Sequence, residues 1–193
     1  MAKEIEIEFK NLLTKNEFEK LKSHFQINES EFRSQTNYYF ETPDFTFKEH
    51  GGALRIRKKS LTSFTLTLKI RQAVGHLEIN QKINETEASN MLETCVVPDG
   101  EVKEYIEEEK LNLNNLALIG ELTTNRVEFP YKSGLLVLDH STYLNHEDYE
   151  LEFEVFDENI GKQQFINLLE NHQIPERETL NKIRRFFNVK QGK

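Results

Sequence analysis

Cysteine is nearly absent. Cys95 is the only one in 193 residues, so no disulfide within the chain and no cysteine-built zinc site can form, which fits a reducing compartment. Tryptophan is missing, and glycine (8) and proline (4) are scarce, which excludes collagen-like and proline-rich architectures. No run approaches the ~20 apolar residues that cross a bilayer, and the opening Met-Ala-Lys-Glu-Ile-Glu lacks the apolar stretch of a secretory leader. A cytoplasmic protein with no membrane partner is the expectation. Basic charge is also short: 25 Lys+Arg stand against 33 Asp+Glu, a net charge of −8. That balance argues against a general nucleic-acid binder, which needs a basic footprint. Phosphate-binding loops of the G-x-x-x-x-G-K-[ST] type, G-x-G-x-x-G turns and G-x-S-x-G elbows do not occur, so Walker NTPases, Rossmann enzymes and serine hydrolases have no motif support. The six histidines show no H-x-x-x-H spacing for zinc.

What the chain does have is period-2 alternation in which the polar positions are mostly charged. Successive side chains of a strand point to opposite faces, so Glu4, Glu6, Glu8 and Lys10 share one face and Ile5, Ile7 and Phe9 the other. Residues 54–57 set Leu54 and Ile56 against Arg55 and Arg57, and residues 64–71 set Phe64, Leu66, Leu68 and Ile70 against Thr65, Thr67, Lys69 and Arg71. Residues 77–83 oppose Leu77, Ile79 and Ile83 to Glu78, Asn80 and Lys82, and residues 149–155 oppose Tyr149, Leu151, Phe153 and Val155 to Glu150, Glu152 and Glu154. Segments 34–41, 117–129 and 134–143 complete about eight strands, with Gly51-Gly52, Gly75 and Gly134 read as turn glycines. Thr14 with Glu17 forms a capping box for a helix over 15–25; 100–110, 160–171 and 178–187 also read as helices, and 86–93 more weakly. One α+β domain over residues 1–193, dominated by antiparallel strands, is the expected organisation.

Charge is segregated along the chain. Between Lys48 and Lys82 there are eight bases and two acids, a balance of 8 − 2 = +6, whereas Glu147 to Glu158 holds seven acids and no base. If these faces line one cavity, crowded carboxylates must be offset, since two like charges 4 Å apart repel by ~4 kcal/mol at an effective dielectric of 20. Carboxylates favour hard divalent cations, and arginine forks match phosphate, so metal and bases together point to a polyphosphate ligand. Periodicity by itself leaves open whether the charged faces meet solvent or a lumen.

The pattern Glu6-x-Glu8-x-Lys10, then Leu-Arg55-Ile-Arg57, Thr-Leu-Lys69 and Glu152-x-Glu154, in that order over nearly the whole chain, resembles the CYTH superfamily of triphosphate tunnel metalloenzymes. The resemblance implies an eight-stranded antiparallel β-barrel with a charged lumen and helices packed outside. It implies Glu6 and Glu8 as metal-binding carboxylates beside Lys10, with Glu150, Glu152 and Glu154 offering two registers for a further acidic pair. Arg55, Arg57, Lys69, Arg126 and Lys182 match phosphate-binding bases, Asp139 matches an acid one strand beyond Arg126, and Glu4, Glu78 and Lys82 are supporting residues. His76 and His140 are compatible with a lumen border. Thr124 stands where many members have a base, and His76 where an arginine often precedes the acid. The implied activity is Mg²⁺- or Mn²⁺-dependent hydrolysis of the terminal phosphate of a triphosphate, with inorganic tripolyphosphate ahead of nucleotide or thiamine triphosphate. Cyclisation of ATP to cyclic AMP and noncatalytic polyphosphate binding are the rival functions, and a homodimer is left open.

Overall fold

In the computed structural model residues 2–192 are described, with side chains from Ile5 onward, so the side chain of Glu4 lies outside the described residues. The strands are β1 (Ala2–Leu13), β2 (Arg33–Glu41), β3 (Ala53–Ser60), β4 (Ser63–Arg71), β5 (His76–Ile83), β6 (Ala117–Tyr131), β7 (Gly134–Tyr143) and β8 (His146–Val155). The helices are α1 (Lys15–His24), α2 (Thr46–Glu49), α3 (Glu85–Thr94), α4 (Glu101–Glu108), α5 (Glu158–Asn171) and α6 (Lys182–Lys190). The strands close into an antiparallel barrel in the order β1-β5-β4-β3-β2-β6-β7-β8, with the helices packed outside.

The contacts divide the chain into two compact units. One comprises Met1–Ile5 with Gln35–Leu122, the other Glu6–Ser34 with Thr123–Lys193. In the first, β3, β4 and β5 form a meander whose apolar faces, including Leu54, Ile56, Leu66, Leu68 and Ile79, are covered by Ala88 and Met91 of α3 and Val102 and Ile106 of α4. In the second, Leu136, Leu138, Leu151 and Phe153 of β7 and β8 pack with Phe18 and Leu21 of α1 and Phe165, Leu168 and Leu169 of α5. Each of these side chains larger than alanine contributes ~1.5–3 kcal/mol on burial. Because the apolar faces are the ones the helices cover, alternation sends the charged faces to the inside of the barrel.

Local chemistry explains most boundaries. Thr14 and Glu17 make the expected capping box on α1, and Asn84 with Glu87 makes a second one that starts α3, so the weakly patterned segment 86–93 is a full helix. The helix read over 178–187 begins at Lys182. Thr179 Oγ1 accepts from the Leu12 backbone N–H at 2.9 Å, which holds the preceding backbone against β1, and Asn181 caps the helix instead. Gly51 and Gly52 do not make a tight hairpin: they close α2, a turn of helix that periodicity does not reveal, through Gly52 N–H to Phe47 O at 2.9 Å. Gly134 has no positive φ; Lys132 takes that conformation. Glycine is needed at 134 because a Cβ would lie 2.2 Å from the Glu154 carbonyl oxygen.

Candidate active site

On the first unit the inward residues form a grid set by strand register. Asn37 of β2 pairs with Arg57, Arg55 with Thr67, Thr67 with Asn80, and Lys69 with Glu78. Arg57 Nε donates to Asn37 Oδ1 at 3.0 Å, a neutral acceptor that orients the guanidinium without itself supplying a countercharge. Glu78 takes Lys69 Nζ at 3.3 Å and Arg55 at 3.8 Å. Its own orientation comes from Asn80, which donates to it at 3.4 Å and accepts from Thr67 Oγ1 at 2.7 Å. Burial alone would raise the Glu78 carboxyl, but the charges of Arg55, Lys69 and Arg57 outweigh that and hold it at about 2. The charges of all three bases thus converge on the Glu78 carboxylate. Lys82 lies further along the Glu78 face, paired in register with Thr65, and is exposed.

The second unit has the opposite balance. Register places Glu8 opposite Glu154 and Lys10 opposite Glu152 between β1 and β8, Asp139 opposite Glu150 between β7 and β8, and Arg126 opposite Asp139 between β6 and β7. Arg126 grips Asp139 bidentately at 2.8 and 2.6 Å and also reaches Glu152 at 2.6 Å. Lys182, from the first turn of α6, enters the same carboxylates: Asp139 at 2.9 Å, Glu150 at 2.9 Å and Glu152 at 2.5 Å. Burial opposes ionisation of all these groups. For Asp139 and Glu152 the bases win, Arg126 first for Asp139 and Lys182 first for Glu152, and both carboxyls fall below the usual range; for Glu150 burial wins and its carboxyl is raised. Lys182 is held charged, chiefly by Asp139, against its burial.

Glu154 is different. Burial, then the like charge of Glu6, with Glu152 and Glu8 adding to it, pushes its carboxyl to about 7 despite Arg126. Glu8 accepts from Lys10 at 2.7 Å. Glu6, Glu8 and Glu154 are thus an all-oxygen set under mutual repulsion, the donor chemistry that a hard divalent cation relieves. Among the described residues no three His, Cys, Asp or Glu side chains are already gathered at ligating distance.

Sequence reading did not single out Asn37, Thr67 or Asn80 as orienting groups, nor Asp148 and Arg185 beside the acidic cluster. Arg185 was within reach of a pattern argument, since it lies one helical turn after Lys182. His140 stands on the face opposite its neighbour Asp139. It stacks on Tyr149 at 4.5 Å, where it also meets Phe18 of α1, so it belongs to the outer layer and does not border the lumen.

The chain is thus a closed antiparallel barrel whose inward strand faces carry ionic clusters in place of an apolar filling. The chain belongs to the CYTH family: the CYTH domain model matches residues 4–187. It is 46% identical over 190 residues to a protein of Bacillus subtilis (strain 168) named "Putative triphosphatase YjbK", with 98% of each chain covered. A crystal structure from Bacillus halodurans, described as a "putative adenylate cyclase", superposes with a TM-score of 0.92 at 44% identity, covering 97% of this chain and 100% of that one. The Hippeastrum protein HpAC1, described as a "putative adenylyl cyclase" that reveals a dominant triphosphatase activity, shares the fold with a TM-score of 0.78 at 20% identity, covering 98% and 97%. No helix among the described residues is long and apolar enough to cross a membrane.

Proposed function

We propose that this chain is a divalent-metal-dependent triphosphatase that releases the terminal phosphate of a linear triphosphate, with inorganic tripolyphosphate as its preferred substrate. The observation that carries the reading is the contrast between a base-rich face, where Arg57 is oriented by a neutral amide, and a carboxylate set in which Glu154 is pushed to about 7. Arg55, Arg57 and Lys69 bind phosphate oxygens, and Arg126 and Lys182 exchange carboxylate partners for phosphate as charge develops in transfer. Glu6, Glu8 and Glu154 would hold Mg²⁺ or Mn²⁺, with Glu152 in reserve because Arg126 and Lys182 already occupy it. The cation, when bound, supplies Lewis-acid polarisation of the phosphates. Asp139 keeps Arg126 oriented, and Lys10 offsets Glu8 until the cation arrives. The relative named as a triphosphatase supports hydrolysis. The Bacillus halodurans relative described as a "putative adenylate cyclase" supports cyclisation of ATP as the second reading.

The test is phosphate release from tripolyphosphate, ATP and thiamine triphosphate with Mg²⁺, Mn²⁺ or EDTA, alongside detection of cyclic AMP. Metal-dependent release from tripolyphosphate that exceeds release from the other two is expected. Cyclic AMP as the main product from ATP would replace the proposal by the second reading, and binding of tripolyphosphate with no turnover of any substrate would reduce the protein to a binding module.

A further inference from the structure

Four carboxylates and three bases meet where α6 joins the second unit, and only part of that network belongs to the site described above. Lys182 and Arg185 are three residues apart on α6 and project from one helix face. Arg185, 8% exposed, forks onto Asp148 through Nε at 2.9 Å and Nη2 at 3.2 Å. Its Nη2 also donates to Glu150 Oε2, the oxygen that Lys182 uses, while Nη1 donates to the Leu180 carbonyl at 2.5 Å. Asp148 is fixed in turn by Tyr143, whose hydroxyl donates to it at 2.8 Å. The guanidinium thus ties three things together: the backbone just before α6, the acid at the start of β8, and the carboxylate shared with Lys182. Glu150 is fully buried, and its Oε1 has no hydrogen-bond partner among the described residues. A charge so placed loses its last compensation if Lys182 moves away, unless a second base stays.

We propose that Arg185 is a positioning residue: its fork sets the rotation of α6 that delivers Lys182 to Asp139, Glu150 and Glu152, and it holds Glu150 compensated when Lys182 turns to a substrate phosphate. The first half rests on the geometry of the network alone; the second rests on the triphosphatase reading. Planarity matters, because the fork engages both oxygens of Asp148 and one of Glu150 in a way that a lysine ammonium cannot reproduce.

The experiment compares wild type with Arg185→Lys, Arg185→Met and Asp148→Asn. Each is pulsed with an amine-acylating reagent, and acylation is read at single lysines by mass spectrometry, with exposed Lys132 as internal reference. Lys182 is expected to label at least tenfold faster in Arg185→Met and Asp148→Asn, and to an intermediate degree in Arg185→Lys, with Lys132 unchanged. The KM for tripolyphosphate should rise about tenfold in Arg185→Met with a smaller change in kcat. Unchanged Lys182 labelling in Arg185→Lys and Asp148→Asn would overturn the proposal, and so would an equal rise at the half-buried Lys22 and Lys69, the mark of general destabilisation. If wild type hydrolyses no triphosphate, the functional reading fails while Lys182 labelling still decides the positioning role.

Discussion

The two compact units of this barrel are built alike and charged in opposite ways. Each contributes a three-stranded meander, β3-β4-β5 or β6-β7-β8, whose apolar face is sealed by two helices. The difference lies in what surrounds the buried bases. In the first unit Arg55, Arg57 and Lys69 act together on the Glu78 carboxylate, and the neutral amide of Asn37 orients Arg57. In the second, Lys10, Arg126, Lys182 and Arg185 face Glu6, Glu8, Asp139, Asp148, Glu150, Glu152 and Glu154, a balance of 4 − 7 = −3. Neutral acceptors orient a base without consuming its charge, whereas carboxylates orient and neutralise it together. On the proposed reading, a face of the first kind takes an anion, and one of the second kind a cation.

The largest effect should come from removing the charge that distinguishes each half. Glu6→Gln and Arg57→Ala are each expected to lower kcat/KM for tripolyphosphate by about 100-fold or more, the size of loss typical when one electrostatic contact to a transition state is deleted. The two should differ in kind. Added Mn²⁺ should partly rescue Glu6→Gln and leave Arg57→Ala unmoved, as titration of activity against metal would show.

The architecture predicts a matched pair next. A Cβ at Gly52 would sit 1.7 Å from the Lys69 carbonyl oxygen, and one at Gly134 would sit 2.2 Å from that of Glu154. Gly52→Ala and Gly134→Ala should each cost about 1–3 kcal/mol in denaturant unfolding, one in each unit. Equal losses would show that the halves are equally intolerant of strand displacement, and a silent Gly134→Ala would show that β7 and β8 can part.

A subtler contrast is the pH dependence of stability, measured in EDTA. Glu78 has a folded value of about 2, below its ordinary 4.5, so its contribution is present above pH 4.5 and lost as pH falls towards 2. Glu154 has a folded value of about 7, above the same 4.5, so it burdens the fold increasingly as pH rises from 4.5 to 7. Glu78→Gln should therefore be less stable than wild type at pH 7, with the gap closing in acid. Glu154→Gln should match wild type near pH 4.5 and exceed it at pH 8. Parallel curves for the two variants would remove the electrostatic difference between the units.

The smallest effect concerns the capping boxes that start α1 and α3. Thr14→Ala in the second unit and Asn84→Ala in the first should each cost about 1 kcal/mol, because each removes the acceptor for an N3 backbone N–H.

Much of this was legible from residues alone where the signal is local. Alternation located the strands, Thr14 and Glu17 announced α1, and the ordered acidic and basic pairs carried the family resemblance that the matched domain model established. Legibility failed where a distant contact decides the outcome. The helix around Lys182 starts late because Thr179 is tied to β1, which lies 167 residues away in sequence. Gly134 looked like a turn glycine, yet its constraint is the neighbouring strand's carbonyl. His140 reads as a polar residue on an alternating strand; an inward Asp139 sends it outward, and its stack on Tyr149 gives it a partner there.

The sequence by itself determined that there are two kinds of charged strand face, because the period-2 pattern and the segregation of Lys and Arg from Asp and Glu are properties of residue order. The tertiary structure decided which carboxylates are already spoken for. Glu150, Glu152 and Glu154 are equivalent in the pattern, but Lys182 and Arg185 arrive from a helix some thirty residues later and compensate the first two. Glu154 is left beside Glu6 with its carboxyl pushed to about 7. Coulomb energy depends on distance through space, and the distance between β8 and α6 is set by the closing of the fold and not by the spacing of letters.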